Sequence, residues 1–444
     1  MKTRREFVAG AAAGILAGSL ASRRVMRGQS ANDTVVLALI GAGGRGTQLA
    51  GNFAQIPNVQ FKYICDVNDQ RGGNAIKELT ERQGYAPQRI VDMRRAFDDK
   101  DVHAVVIATP EHWHALAMIW ACQAAKDVYV EKPISLCIWE GQKMVEAARK
   151  YKRVVQCGLE NRSAPYAVTA RDYFQSGKLG RVELIKAYNL LPNDGPYQQP
   201  ADAPTPAGVD WDRFVGPARK VPFNPGRLRH WANYWDYGGG SLSGDAIHQL
   251  DLTRMVLGDP ENPKSVYCKG GRFAYDDQRE VPDVQAITYD YGNFIMTCES
   301  GSFANYTAKF SKEVRYGKAW PFWPQSSCRV EIYGTKQMMY LGRHGAGWQV
   351  LESDGKIVAQ DKGYFPDKWH QPNFIDCVRS RKEPNSTIEQ GHISTGLIHL
   401  GNIAYRTGNR WLQFDSKKEC FEDERANEYL RLPSRREFQV PDKV

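Results

Sequence analysis

The run Val35-Val36-Leu37-Ala38-Leu39-Ile40 passes directly into Gly41-Ala42-Gly43-Gly44-Arg45-Gly46. Six apolar residues without polar alternation are the pattern of a strand covered on both faces, hence of a parallel sheet. Behind the glycines, Leu49, Phe53 and Ile56 recur at i, i+4 and i+7, so the loop opens a helix. A strand, a glycine turn and a helix N-terminus make a pyrophosphate cradle. Gly41 permits the tight turn, Gly43 lets the backbone approach the ligand, and Gly46 lets the helix pack on the strand. Gly44 and Arg45 belong to the same cofactor loop. The next strand, Phe61 to Cys65, ends at Asp66, 20 residues after Gly46. A carboxylate there accepts hydrogen bonds from ribose hydroxyls and repels a 2′-phosphate, so NAD is expected over NADP. Arg71 nearby is the one feature that favours the phosphorylated cofactor.

A third unit follows the same logic. Val102 to Ala108 reads as a buried strand ending in Thr109-Pro110-Glu111-His112-Trp113-His114, and Val128 to Val130 ends in Glu131-Lys132-Pro133. Ligands of open α/β sheets bind beyond the carboxyl ends of strands. Thr109, Pro110, His112, His114, Glu131 and Lys132 are therefore expected at the cofactor, although either histidine could equally serve packing. A lysine ammonium at the nicotinamide end could hydrogen-bond a substrate hydroxyl and lower the pKa of a neighbouring base.

Ser243-Gly244-Asp245-Ala246-Ile247-His248-Gln249-Leu250-Asp251 predicts a helix N-terminus with Ser243 as N-cap. Asp245, His248 and Asp251, at i, i+3 and i+6, then share a face beside the apolar stripe of Ile247, Leu250 and Leu257. A histidine flanked by carboxylates suits general-base work, one carboxylate fixing its tautomer and stabilising the imidazolium. Lys132, His248 and Asp245 are the catalytic candidates. Aromatic residues crowd the preceding segment, and aromatic faces pack against sugar C–H groups, as they also fill cores. Trp113, Arg162, Trp235, Tyr237 and Asp251 are the candidate substrate contacts.

The glycine loop, Thr109-Pro110 to His114 and Glu131-Lys132-Pro133 stand in the order and spacing of the glucose–fructose oxidoreductase and inositol dehydrogenase family, Gfo/Idh/MocA, which the chain resembles. The resemblance continues through Gly177 to Val182, Trp235 to Gly240, Val330 to Thr335 and His370 to Phe374. It implies an α/β fold, with an N-terminal Rossmann doubly wound parallel sheet over residues 32–160. An α+β domain with a mostly antiparallel open sheet, for substrate and oligomerisation, is expected over 161–444. Val284 to Met296 agrees independently, being two β-rich runs around a Gly-Asn turn. The segment from about 366 to 410 reads helical and is expected to pack back on the first domain. A homo-oligomer is implied by analogy.

In that family the equivalent of His248 is the usual base, with a carboxylate four residues before it. Here Gly244 occupies that place and Asp245 comes three before, so either Asp245 replaces the partner with altered geometry or the role is lost. The resemblance implies an NAD-dependent oxidoreductase acting on a ring hydroxyl of a sugar or glycoside, commonly at C3. Redox-neutral glycoside cleavage by transient oxidation and elimination is an alternative, although the Thr-His-Gly signature of the family 109 glycosidases is absent at His248. An inactive NAD-containing sugar-binding protein is a further one, against which intact Lys132 and His248 count.

The N-terminus bears on how such an enzyme turns over. Thr3-Arg4-Arg5-Glu6-Phe7-Val8, followed by a short apolar run from Val8 to Ala21, reads as a twin-arginine export signal over residues 1–31, removed to leave a periplasmic protein. An uncleaved anchor or a disordered tail is the other reading, but for an anchor the run falls short of the roughly 20 residues a bilayer span needs. The leader carries six Lys/Arg and one acid, so without it the net charge falls from +9 to +4. Much of the basic balance belongs to the address label, and nucleic acid is not an expected partner. The nine cysteines include no C-x-x-C pair, so neither a metal site nor a disulfide framework is expected. No stable membrane insertion is expected after signal removal.

Overall fold

In the computed structural model, six strands form the first sheet: β1 Val35–Ile40, β2 Val59–Cys65, β3 Gln88–Ile90, β4 Ala104–Ile107, β5 Asp127–Val130 and β6 Val155–Cys157. They pair in the order β3-β2-β1-β4-β5-β6, all parallel. The order reverses between β1 and β4, and the glycine loop and Thr109 lie beyond the carboxyl ends of those two strands. That is where a doubly wound sheet opens a crevice for ligands. The structure describes residues 34–192 and 195–444, so the twin-arginine leader lies outside the described residues. Among the described residues no helix is long and apolar enough to cross a membrane.

The second sheet has ten strands: β7 Val182–Leu191, β8 Ser265–Gly271, β9 Val284–Asp290, β10 Ile295–Ser302, β11 Arg329–Gly334, β12 Met338–Gly342, β13 Gly347–Leu351, β14 Ile357–Asp361, β15 Leu412–Asp415 and β16 Cys420–Phe421. Their order is β14-β13-β12-β11-β7-β10-β9-β8-β15-β16, antiparallel except for the parallel pair β7 and β10. The α/β class and mostly antiparallel second sheet expected from the sequence are what the molecule has. Asp290 and Ile295 pair across the Gly-Asn turn, where Gly292 adopts φ +86°.

Two helices, Asp367–Ser380 and Ile388–Arg406, return toward the first sheet. Phe374 is fully buried, with its ring edge-on to Phe53 and Tyr129 at 6.0 and 5.9 Å. Burial of a phenyl side chain contributes about 1.5–3 kcal/mol, so this contact fastens the second half of the chain to the Rossmann core. The nine cysteines are all free thiols.

Candidate active site

The glycine loop is shaped from both sides. A Cβ on Gly46 would stand 1.9 Å from the Gly41 carbonyl oxygen, and one on Gly41, at φ +93°, 2.7 Å from that of Ala108. A Cβ on Gly43 or Gly44, by contrast, would meet nothing within 4 Å beyond its own chain neighbours. The loop is tight where it packs on the sheet and open where a pyrophosphate would lie. Asp66 Oδ2 accepts from Ala42 N at 2.6 Å and Oδ1 from Asn68 N at 2.8 Å, so the carboxylate also ties the loop to β2. Burial raises its pKa against the opposing pull of those two amides and Arg71. Asp66 borders both the main cleft and a smaller, mostly apolar cavity with Val67, Met93, Trp113 and Phe214, suited to a nucleobase.

Arg45 donates to Glu131 at 2.9 Å and forks onto Asp367 at 2.9 and 3.1 Å. The glycine loop, the loop after β5 and the return helix are thereby joined at the cleft wall. Asp367 carried no recognisable signal in the sequence. His114 contacts the Pro133 and Thr109 carbonyl oxygens at 2.7 and 2.9 Å, holding the loops after β4 and β5 together at the cleft. Glu111 Oε2 accepts from Ser243 Oγ at 2.5 Å and Gly239 N at 3.2 Å. Burial pushes its pKa up to about 7 despite Ser243, Lys132 and Gly239.

The main cleft, about 580 Å³, runs from Gly41, Gly43, Gly44 and Asp66 to Lys132, Glu160, His248 and His344. That volume lies within the 300–1,000 Å³ usual for small-molecule sites. Lys132 Nζ donates to the Gly244 carbonyl at 2.5 Å. His248 Nδ1 faces Glu160 Oε2 at 3.6 Å, and its ring meets that of His344 edge to face at 4.6 Å. His344 Nε2 lies 2.8 Å from Glu160 Oε1. Burial pushes both imidazoles toward the neutral form, His344 to about 4, with Arg343 acting in the same direction. Burial alone would raise the Glu160 pKa, but the two histidines when protonated, with Arg45, hold it well below the usual carboxylate range.

Residues 35–159 match the model of an oxidoreductase family with an NAD-binding Rossmann fold, Gfo/Idh/MocA, and residues 213–340 and 326–440 match two C-terminal domain models of the same family. The chain belongs to the Gfo/Idh/MocA family. Among its relatives, the uncharacterized oxidoreductase YrbE of Bacillus subtilis is 25% identical over 383 residues, 83% of this chain and 92% of that protein. The myo-inositol 2-dehydrogenase of Thermotoga maritima is 21% identical over 365 residues, 81% and 92% of the respective chains. In fold, the crystal structure of the aldose-aldose oxidoreductase from Caulobacter crescentus complexed with glycerol is similar at a TM-score of 0.63 and 19% identity, covering 86% of this chain and 100% of that one. The protein is thus an oxidoreductase of the NAD-binding sugar and polyol dehydrogenase type.

Against the Gfo/Idh/MocA pattern, the carboxylate facing His248 is Glu160, not Asp245. Leu242–Ala246 is a π-helical turn, and the regular helix starts only at Ile247. The wider turn breaks the i, i+3 facing on which the Asp245 expectation rested. Asp245 Oδ2 instead accepts from Arg343 at 2.7 Å and Oδ1 from Lys309 at 3.2 Å. Burial opposes its ionisation, yet Arg343 and Lys309 hold it ionised far below the carboxylate range. Ser243 is not an N-cap either, since it lies inside the π turn with its hydroxyl on Glu111.

The candidate substrate contacts are also placed elsewhere. Arg162 and Asp251 are 4% and 1% exposed and pair with each other at 2.8 Å, away from the cleft. Trp113 donates from Nε1 to the Arg213 carbonyl at 2.9 Å and lines the small cavity beside Asp66. His112 is buried with Nε2 on the Phe214 carbonyl at 2.8 Å, and Tyr237 is buried against its ring. Trp235 donates to the Glu280 carbonyl at 3.1 Å and packs under Arg406. Aromatic side chains do line the cleft, but they are Trp231, Tyr316 and Phe365.

Proposed function

We propose that the protein oxidises a ring hydroxyl of a sugar or glycoside, C3 being the position the family resemblance suggests, and that it retains and reuses its NAD. The observation carrying this reading is the meeting of Lys132 and His248 at one end of a cleft whose other end is the open glycine loop and Asp66. When bound, NAD supplies the hydride acceptor and, once reduced, the donor. His248 takes the hydroxyl proton through Nε2, since Nδ1 is turned to Glu160. Its depressed pKa means that the lone pair is available at neutral pH. Glu160, ionised beside it, stabilises the imidazolium that forms. Lys132 spends one N–H on Gly244 and keeps two for a developing alkoxide. Trp231, Tyr316 and Phe365 offer faces for the C–H surface of a sugar.

Retention is supported by the leader, which on this reading carries the protein to a compartment with little free nucleotide. The fold relative named as an aldose-aldose oxidoreductase is a precedent in name for coupling two sugars at one site. The test is to purify the protein without added nucleotide, identify what is bound after dialysis, and follow reduced nicotinamide absorbance on adding a panel of glycosides. A transient signal that decays as a second carbonyl sugar is reduced, with little response to free NAD, is expected. A strict need for exchangeable NAD, with NADH accumulating in solution, would reject retention while leaving the hydride site intact.

A further inference from the structure

Glu160, His248 and His344 reach one point from three distant parts of the chain. Glu160 follows β6, His248 lies in the first turn of the helix after the π turn, and His344 sits in the tight loop between β12 and β13. Each offers a ligand atom, and these atoms all lie within 4.8 Å of one another. Among the described residues this is the one His, Cys, Asp and Glu grouping with that property. All three side chains are more than nine-tenths buried, His344 Nε2 is in contact with Glu160 Oε1 at 2.8 Å, and Glu160 Oε2, His248 Nδ1 and His344 Nδ1 lack a hydrogen-bond partner. Buried polar atoms are nearly always paired, so three orphans in one cluster call for a ligand.

The placement of His344 is itself costly. It adopts φ +53°, between Gly342 and Gly345, and its amide is held by Asn161 Oδ1 at 2.9 Å, one residue from Glu160. A left-handed backbone on a non-glycine residue persists only where surrounding contacts impose it. The contact that imposes it here comes from the segment bearing the carboxylate.

We propose that Glu160, His248 and His344 form a site for a divalent transition-metal ion of the zinc type, and that an ion held there withdraws His248 from proton transfer. Two imidazoles and one carboxylate are a recurrent zinc donor set, with bonds of about 2.0–2.2 Å and a coordination position left open. Closing the three atoms onto an ion requires small side-chain rotations, not a change of fold. The open position faces the cleft that Lys132 and the glycine loop share. Arg343, Arg315 and Lys132 also stand near, Arg343 being offset by Asp245. That positive surround opposes any cation, so discrimination rests on the donors: two imidazole nitrogens disfavour magnesium or calcium, which want several oxygen ligands, and favour ions that form strong bonds to imidazole. With Nδ1 on the metal, Nε2 of His248 carries the ring proton and can donate but not accept.

Occupancy rests on the geometry of the site, and the effect on turnover rests on the reading of His248 as proton acceptor. The experiment uses the full chain as purified, stripped with a chelator and titrated with cobalt(II), whose visible ligand-field absorption reports nitrogen and oxygen coordination. One ion per chain is expected, confirmed by metal analysis after zinc loading and desalting. Glu160→Gln and His344→Gln should each weaken binding on the order of 10-fold or more, while retaining the circular dichroism spectrum and bound nucleotide of the parent. One equivalent of zinc should abolish nicotinamide reduction by an active glycoside, and chelator should restore it.

Absence of a cobalt spectrum, or equal affinity in both variants and the parent, overturns the site. Zinc bound through these residues with reduction unchanged overturns the withdrawal of His248. Ligand-dependent binding with no glycoside active in either state sustains the site and removes the oxidoreductase reading. Glycoside-driven reduction without metal binding does the reverse.

Discussion

Glu160 and Arg162 are neighbours on one short turn, and His248 and Asp251 lie on one helix, yet the four residues divide into two clusters of opposite character. Arg162 donates to Asp251 at 2.8 Å and to Asp259 at 2.7 and 3.0 Å, and Ser394 Oγ reaches the same Asp251 oxygen at 2.6 Å. Glu160 and His248 face each other across 3.6 Å with polar atoms unspent. In the first cluster the carboxylates of Asp251 and Asp259 are paired with the Arg162 guanidinium, although Asp251 Oδ2 has no partner of its own. In the second, no guanidinium or ammonium among the described residues pairs with Glu160. Burial is similar in both, so burial does not separate structure from chemistry; pairing of the buried charge does.

The largest effect expected from this contrast is on stability. Arg162→Ala leaves Asp251 buried without its guanidinium partner, which should cost about 3–5 kcal/mol, read as a lowered denaturation midpoint. A folded, stable Arg162→Ala protein that has lost substrate affinity would break the comparison and return Arg162 to the substrate side.

His248→Ala should behave in the opposite way. Turnover should fall by about 10²-fold or more, the usual contribution of a positioned base, with bound nucleotide retained and the denaturation midpoint near the parent's. Glu160→Gln keeps the shape but removes the charge that stabilises the imidazolium, so a smaller loss is expected. If both variants turn over normally, the proton acceptor lies elsewhere in the cleft.

The same contrast explains what could be read from the sequence. The nucleotide half was legible because its determinants are local. The strand, the glycines and the helix are contiguous, and Asp66, Thr109 and Glu131-Lys132 all fall at the ends of apolar runs. His248 and Lys132 were visible as well. The partner of His248 was not, since a helical wheel assumes 3.6 residues per turn and the π turn at Leu242–Ala246 displaces Asp245 toward Arg343. Glu160 did carry a signal of the kind that found Lys132, because it follows Val155–Cys157, the carboxyl end of another parallel strand. His344 and Asp367 carried none. They reach the cleft through the pairing of β12 with β13 and the return of the C-terminal helix, which no local pattern encodes. Aromatic content near His248 misled in detail, because Trp235 and Tyr237 fill packing roles while Tyr316 and Phe365 line the cleft.

Asp66 sharpens the comparison at the nucleotide end, where one carboxylate serves both purposes. It holds the Ala42 and Asn68 amides and borders the cleft. Asp66→Ala should weaken NAD by about 1.5–3 kcal/mol, the range for hydrogen bonds to a charged group, and NADP by much less. Loosening of the loop affects both cofactors alike, so the ratio of the two affinities is the informative measurement. A parent protein that binds NADP as tightly as NAD would remove Asp66 from cofactor selection.

Glu111 is the intermediate case, buried and partnered yet still displaced in pKa. Its carboxyl titrates at about 7 when folded, against about 4.3 for an unperturbed glutamate. The folded protein therefore keeps a proton that the unfolded chain has released, and stability from this group falls as pH rises through that interval. It is fully present below about 4, is lost progressively up to about 7, and changes no further above that. The slope approaches about 1.4 kcal/mol per pH unit at the middle of the window. Other buried groups titrate there too, the neutral histidines with the opposite sign, so the measurement is the difference between the parent and Glu111→Gln across pH 5 to 7. The amide retains an acceptor for Ser243 and Gly239 but cannot ionise. A parent that loses stability relative to the variant as pH rises supports a carboxyl held protonated by burial, whereas parallel profiles would place Glu111 with Arg162, as an ionised group whose partners fully compensate it.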